Sequence, residues 1–208
     1  MPTERIEALG LISQRFPADP VVFTCGATSR EIVSLERREN HLCVVDSMGL
    51  VSSIVLGISL GLEDTSGNGD VGPKLVVGVE GDGGMLANLN SLATIGYLQP
   101  SNLLLIVLDN EAYASTGGQA TFTTKLDLAA FASQCGFRTW RVDDLEGLDQ
   151  AISEATEPKG VTGPANPSEP AFILMKIAPG NASVPLLLDD PVTLGDRFTR
   201  WLSAAMGQ

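Results

Sequence analysis

The sequence predicts an α/β protein: a single domain built on an open, mostly parallel sheet with helices on both faces. Three observations predict it. Short, almost continuously apolar runs recur along the chain, among them KLVVGVE (Lys74 to Glu80), LLLIVL (Leu103 to Leu108) and FILMKI (Phe172 to Ile177). Unbroken apolar character of this kind marks strands buried on both faces. Segments with helical spacing separate these runs, and Gly, Asp and Asn gather at the carboxyl ends, where open parallel sheets bind their ligands.

Each element follows from its own pattern. Glu4 to Phe16 reads as the first helix, Val21 to Thr24 as a strand, Ser29 to Arg38 as a helix and Leu42 to Val45 as a strand. Leu50 to Leu62 is an apolar helix whose Ser52, Ser53, Gly57, Ser59 and Gly61 allow close approach by a neighbour or a second subunit. After the Lys74 strand, Met85 to Tyr97 reads as one helix leading into the Leu103 strand. In Lys125 to Gly136, the residues Leu128, Phe131, Ala132 and Cys135 share one helical face. That face is expected to be buried, with Asp127 capping its start and Gly136 its end, which makes Cys135 core filler. Asp196 to Met206 closes the chain as a helix. The polar stretches Glu63 to Pro73 and Thr156 to Pro170 are rich in Gly, Pro, Ser and Asn and read as loops within one domain.

Composition narrows the class. The 208 residues are 44% hydrophobic and 18% charged, with a mean hydropathy of +0.17, enough apolar material for a sizeable core. Lys and Arg number 13 against 25 Asp and Glu, a net charge of −12, which argues against nucleic acid or an anionic membrane as partner. Three cysteines without C-x-x-C spacing indicate neither a disulfide framework nor a zinc site. The first residues lack a signal-peptide pattern, and the Leu50 helix is too short and too rich in Ser and Gly to span a bilayer; the expected location is cytoplasmic. The single histidine, His41, follows the charged segment LERREN and is expected to be solvated and outside the chemistry.

The most informative residues are Gly81-Asp82-Gly83-Gly84 after one strand and Asp109-Asn110 after the next. This arrangement puts two hard oxygen ligands at neighbouring strand ends, where the glycines let the backbone approach a phosphate group. Mg²⁺ held by a carboxylate and neutral oxygens, and bridging to a diphosphate, is the chemistry that suits them. A dinucleotide fingerprint beginning at Gly81 fails, because Leu86 falls where the third small residue belongs.

Glycine-aspartate-glycine, this spacer and then asparagine resemble the signature of thiamine diphosphate (ThDP) enzymes. DNEAYASTGGQ (Asp109 to Gln119), TCGATSRE (Thr24 to Glu31) and DSMG (Asp46 to Gly49) further resemble the cofactor half of the phosphonopyruvate and sulfopyruvate decarboxylases. The resemblance implies Asp82, the Asn110 side chain and the Ala112 carbonyl as Mg²⁺ ligands. It implies that Gly26, Ala27, Thr28, Ser29, Gly81, Gly83, Gly84 and the Tyr113-Ala114-Ser115 segment line the diphosphate. In the DSMG segment, the Asp46 carbonyl would meet the aminopyrimidine beside Ser47, and Met48 would wedge the two cofactor rings into a bent geometry.

The family's second, pyrimidine-binding domain, whose glutamate activates the cofactor, has no room in this length. It is expected on a separate subunit, in a heterotetramer of two pairs, as in the sulfopyruvate enzyme. The implied reaction is decarboxylation of a small 2-oxo acid to an aldehyde. At Tyr113 and Ala114 the family usually carries His and then Glu or a small residue. That departure leaves open a ThDP-dependent carboligase subunit or a degenerate, non-catalytic interaction subunit, and makes Tyr113 a candidate hydrogen-bond donor to substrate. A sulfonate or phosphonate would call for a cation. Lys125 and Arg30 lie nearest in sequence but read as surface charge, so that cation is assigned to the partner.

Overall fold

The computed structural model describes residues 2–65, 75–157 and 169–207. In chain order the elements are α1 (Arg5–Arg15), β1 (Val21–Phe23), α2 (Ala27–Leu35), β2 (His41–Cys43), α3 (Val51–Thr65), β3 (Val76–Gly81), α4 (Asp82–Ala87), α5 (Ser91–Leu98) and β4 (Leu103–Asp109). They continue with β5 (Ala112–Tyr113), β6 (Gln119–Ala120), a 3₁₀ turn (Phe122–Thr124), α6 (Leu128–Gln134), β7 (Arg138–Val142), α7 (Leu145–Thr156), β8 (Ala171–Lys176) and α8 (Pro191–Ala205). The main sheet has six strands in the order β2-β1-β3-β4-β8-β7, all paired in parallel. Strands β5 and β6 form a separate antiparallel hairpin.

Alternation along each central strand divides the core into two layers. In β3 and β4, Val77, Val79, Leu104, Ile106 and Leu108 pack toward α1, α2 and α7, whereas Val76, Leu103, Leu105 and Val107 pack toward α3, α4, α5 and α6. Successive strand residues point to opposite faces, so a continuous apolar run serves both layers. Each such side chain contributes about 1.5–3 kcal/mol when fully buried. The predicted sheet with helices on both faces is therefore present.

Several local expectations change. The helix expected over Met85 to Tyr97 is two helices, α4 and α5, separated at Asn88-Leu89-Asn90. There the Asn88 side-chain amide donates to the Gly49 carbonyl at 2.9 Å, an alternative to helical bonding that asparagine side chains favour. His41 is buried, not solvated: it lies in β2 at 3% exposure, with its ring edge-on to Phe23. Burial, assisted by the nearby Arg38, pushes its pKa down to about 4. In α6 the buried face is Leu128, Ala129 and Ala132. Phe131 is exposed and Cys135 half-buried, so that helix is turned from the expected face, although Asp127 does accept from the Ala130 N–H at 3.0 Å.

Strand β7 and helix α7 fill a stretch to which the sequence reading assigns no element, although Leu148, Ala151, Ile152 and Ala155 of α7 share one buried face. Helix α8 starts at Pro191, with Asp190 accepting from the Val192 N–H, earlier than the expected Asp196. Most of the two expected polar loops, together with Lys74, lies outside the described residues. Among the described residues, no helix is long and apolar enough to cross a membrane.

Candidate active site

The chain order places the crevice. Strand β1 connects to β2 on one side, while β3 returns to the other side of β1, so loops leaving β1 and β3 diverge and open a gap at their carboxyl ends. The β1 exit is Thr24-Cys25-Gly26, the β3 exit Gly81 to Gly84, and the β4 exit Asp109 to Ala112.

Glycines make these loops converge. A Cβ on Gly26 (φ +77°) would lie 3.0 Å from Ser115 Oγ, which joins the β1 exit to the loop after β5. A Cβ on Gly83 would stand 2.4 Å from the Tyr113 ring, and one on Gly84 2.1 Å from the Glu80 carboxylate. Among the described residues, two of the three non-glycine residues with left-handed backbone, Asp46 (φ 56°) and Glu111 (φ 58°), sit in the loops after β2 and β4. Such conformations persist only where the surrounding structure holds them, and they concentrate at functional sites.

Acidic and hydroxyl groups fill the floor. Asp82 is 3% exposed; its Oδ2 accepts from Thr121 Oγ1 at 2.5 Å and lies 3.4 Å from Thr123 Oγ1. Asp109, equally buried, accepts from Thr123 Oγ1 at 2.8 Å and pairs with Lys176 Nζ at 2.8 Å. Asn110 is buried, and its Oδ1 accepts from the Ala112 N–H at 3.1 Å, with a second lone pair to spare. Burial pushes the Asp82 carboxyl above its ordinary range; Asp109 adds repulsion and the Thr121 hydroxyl opposes both. Beside it, burial lifts Glu80 to about 7. Glu80 Oε1 accepts from the Gly81 N–H at 3.0 Å, while Oε2 is buried with no partner among the described residues.

The structure thus brings Gly26, Gly83, Gly84, Tyr113 and Ser115 to one crevice, with Asp82 and Asn110 at its floor. Ala27, Thr28 and Ser29 begin α2, which carries no side-chain cap. Ser29 Oγ instead donates to the Thr24 carbonyl at 2.6 Å, locking helix to strand. Met48 is half out in solvent at 51% exposure, and Leu50 and Phe122 are exposed at 46% and 74%; all three lie beyond the carboxyl ends of the strands. Of the two cations singled out from the sequence, Lys125 is exposed, whereas Arg30 Nε donates to the Gly26 carbonyl at 3.3 Å. Tyr113 lies with its ring against the Gly83 backbone.

Sequence reasoning missed Thr121, Thr123, Glu80 and Lys176, although polar residues at strand ends beside a glycine turn were a usable signal. It also missed a strap after β8, where Asn181 Nδ2 donates to the Ala114 carbonyl at 3.1 Å. The strap is anchored by the Ala182 N–H and Arg5, both on buried Glu31 at 3.0 and 2.9 Å.

Residues 26–165 match the thiamine pyrophosphate enzyme, C-terminal TPP binding domain family; thiamine pyrophosphate is ThDP by another name. The chain belongs to this family. Over 205 residues this TPP-binding domain is 33% identical to sulfopyruvate decarboxylase subunit beta of Methanothermobacter thermautotrophicus, covering 99% of this chain and 98% of the relative. It is 36% identical over 179 residues to the corresponding subunit beta of Methanocaldococcus jannaschii, covering 86% and 85%. With phosphonopyruvate decarboxylase of Streptomyces viridochromogenes it shares 36% identity over 85% of this chain but only 40% of the relative. Among solved structures, benzoylformate decarboxylase from Polynucleobacter necessarius superimposes with a TM-score of 0.67 at 18% identity, over 86% of this chain and 34% of that one. That likeness establishes the α/β fold.

Proposed function

We propose that this chain is the diphosphate- and Mg²⁺-binding subunit of a two-component ThDP-dependent decarboxylase. Its substrate would be an anionic 2-oxo acid of the sulfopyruvate or phosphonopyruvate type, and its products CO₂ and an aldehyde. The observation that carries the reading is the near end-to-end match to proteins named subunit beta, in a family defined by TPP binding. Two hard oxygen donors, Asp82 and Asn110, beneath a crevice lined by glycine suit Mg²⁺ and a diphosphate.

In this reading Asp82, the Asn110 amide oxygen and the Ala112 carbonyl hold Mg²⁺. Among the described residues no three His, Cys, Asp or Glu side chains cluster for metal binding; a site with one carboxylate and neutral oxygens leaves room for the charge of a diphosphate. The uncapped N-terminus of α2, Gly26 to Ser29, offers N–H groups to that anion, and Gly84 and Ser115 complete the cradle. Met48 supports the rings, beside the Asp46 carbonyl and Ser47. Bound ThDP supplies the electron sink that makes loss of CO₂ from a 2-oxo acid feasible. This chain fixes the charged end, while exposed Met48, Leu50 and Phe122 await a partner bearing the pyrimidine-binding domain and its glutamate. Two such pairs make the proposed heterotetramer, and the cytoplasm is its proposed location.

The test is to purify the chain from its native cells and record a native mass spectrum, then assay the complex with sulfopyruvate and with phosphonopyruvate. The reading expects a second polypeptide, ThDP and Mg²⁺, and aldehyde release. A homomer that retains no cofactor under saturating ThDP and Mg²⁺ would instead identify a non-catalytic interaction subunit, and acyloin products a carboligase.

A further inference from the structure

Between the acids that follow β3 and end β4 stand two buried hydroxyls. Thr121 and Thr123 are 2% and 7% exposed and lie 2.8 Å apart, Oγ1 to Oγ1. Thr121 reaches Asp82 Oδ2 at 2.5 Å and Thr123 reaches Asp109 Oδ1 at 2.8 Å. Hydrogen bonds from a hydroxyl to a carboxylate are among the strong ones, and burial makes their loss costly.

The backbone of Thr121 is held as firmly as its side chain. Its N–H donates to the Glu111 carbonyl at 2.9 Å, and its own carbonyl accepts from Thr124 Oγ1 at 3.1 Å. It directly follows β6, which pairs Ala120 with Ala112 and Gln119 with Tyr113. Closure of the loop between Tyr113 and Gln119 therefore sets where the Thr121 hydroxyl points, and that hydroxyl sets the rotation of the Asp82 carboxylate.

We infer that Thr121 is a positioning residue for the metal site: it holds Asp82 Oδ2, fixes the rotation in which that carboxylate meets a cation, and couples the Ser115 loop to metal binding. Thr123 and Asp109 brace Thr121 from behind. The inference rests on the Mg²⁺–diphosphate reading of Asp82. Partners that orient a metal ligand without touching the metal typically change affinity 10–100-fold when removed.

The test uses the full chain with its copurifying partner, saturating ThDP, and Mn²⁺ in place of Mg²⁺, with free Mn²⁺ read by electron paramagnetic resonance. Thr121→Val is expected to weaken Mn²⁺ binding about 10-fold or more. Thr121→Ser, which keeps the hydroxyl, should stay within about threefold of the parent. Thr123→Val should fall between them, because Thr123 approaches Asp82 only at 3.4 Å. If Thr121→Val does not fold, Thr121→Ala applies the same criterion. Parent-like Mn²⁺ affinity in the folded Val or Ala variant, with Asp82→Asn defective, overturns the inference alone; a parent complex that takes up no Mn²⁺ overturns the metal reading and the inference with it.

Discussion

The two ends of the crevice are built differently. Where β3 and β4 finish, Asp82, Asp109, Asn110, Thr121 and Thr123 are all buried, and each carboxylate is met by a hydroxyl of the same chain. After β2, in contrast, Met48 and Leu50 stand roughly half exposed. Polar groups out of water must be satisfied locally, so the charged end has to be completed within one polypeptide. An exposed apolar rim carries no such demand and suits an intermolecular contact. The contrast matches the proposed two-component reading, in which this chain would supply the electrostatic half of a shared site.

The sharpest way to break the comparison is Asp82→Ala. The proposed metal site loses its only carboxylate, and retention of ThDP with Mg²⁺ by the assembled complex should fall about 100-fold or more, as read by native mass spectrometry. Unchanged retention would remove the metal assignment.

Next in size is an acid effect on the edge strand that leads to the Met48 loop. His41 is buried in β2 with its pKa lowered from 6.5 to about 4. The unfolded chain gains a proton as pH falls through 6.5, whereas the folded chain stays neutral until about pH 4. Stability is therefore present above pH 6.5 and is lost toward pH 4, by about 3 kcal/mol from this residue. Glu80, lifted to about 7 by burial, has the opposite slope over much of this range. The His41 contribution is therefore read as the difference between parent and His41→Phe in urea titrations of the cofactor-free chain at a series of pH values, and that difference should show the loss. An equal slope in the variant would trace the acid sensitivity elsewhere.

Gly83→Ala probes the packing at the charged end. The new Cβ would meet the Tyr113 ring at 2.4 Å, and overpacking of this kind costs about 1–3 kcal/mol. Reduced ThDP affinity in calorimetry, partly restored by adding Tyr113→Ala, is the expected pattern; no restoration would mean the ring is not the obstacle. The smallest effect belongs to Met48→Ala. At 51% exposure, its removal should leave the isolated chain's stability within about 0.5 kcal/mol, while ThDP retention in the complex drops several-fold. A large stability loss in the isolated chain would show that the exposed rim serves this chain's own fold.

Much of the fold was legible because buried parallel strands advertise themselves. Val76–Gly81, Leu103–Asp109 and Ala171–Lys176 are runs that only a sheet covered on both faces accommodates. Strand β7 was not: its RTWRV sequence has no fully buried position and exposes Arg141, as befits an edge strand, and an edge lacks the apolar contrast on which periodicity depends. His41 was misplaced for a related reason. Its charged neighbours suggested solvent, but the ring packs edge-on to Phe23 across the β1–β2 pair, a contact between strands that adjacent sequence cannot disclose. The broken helix at Asn88 likewise depends on Gly49, 39 positions away.

By itself the sequence determined the alternation of buried strands with helices through most of the chain, the glycine turns, and the Asp82 and Asn110 pair at neighbouring strand ends. These are local: residue identity and spacing dictate backbone freedom, burial pattern and ligand chemistry within a few turns of chain. Only the tertiary structure decided that Thr121 and Thr123 bridge Asp82 and Asp109, that Tyr113 lies against Gly83, that the strap after β8 holds the Ala114 carbonyl, and that Met48 faces outward. Such contacts are set by how the sheet twists and where the loops land, and hydrogen bonds between distant residues leave no periodic mark on the sequences that make them.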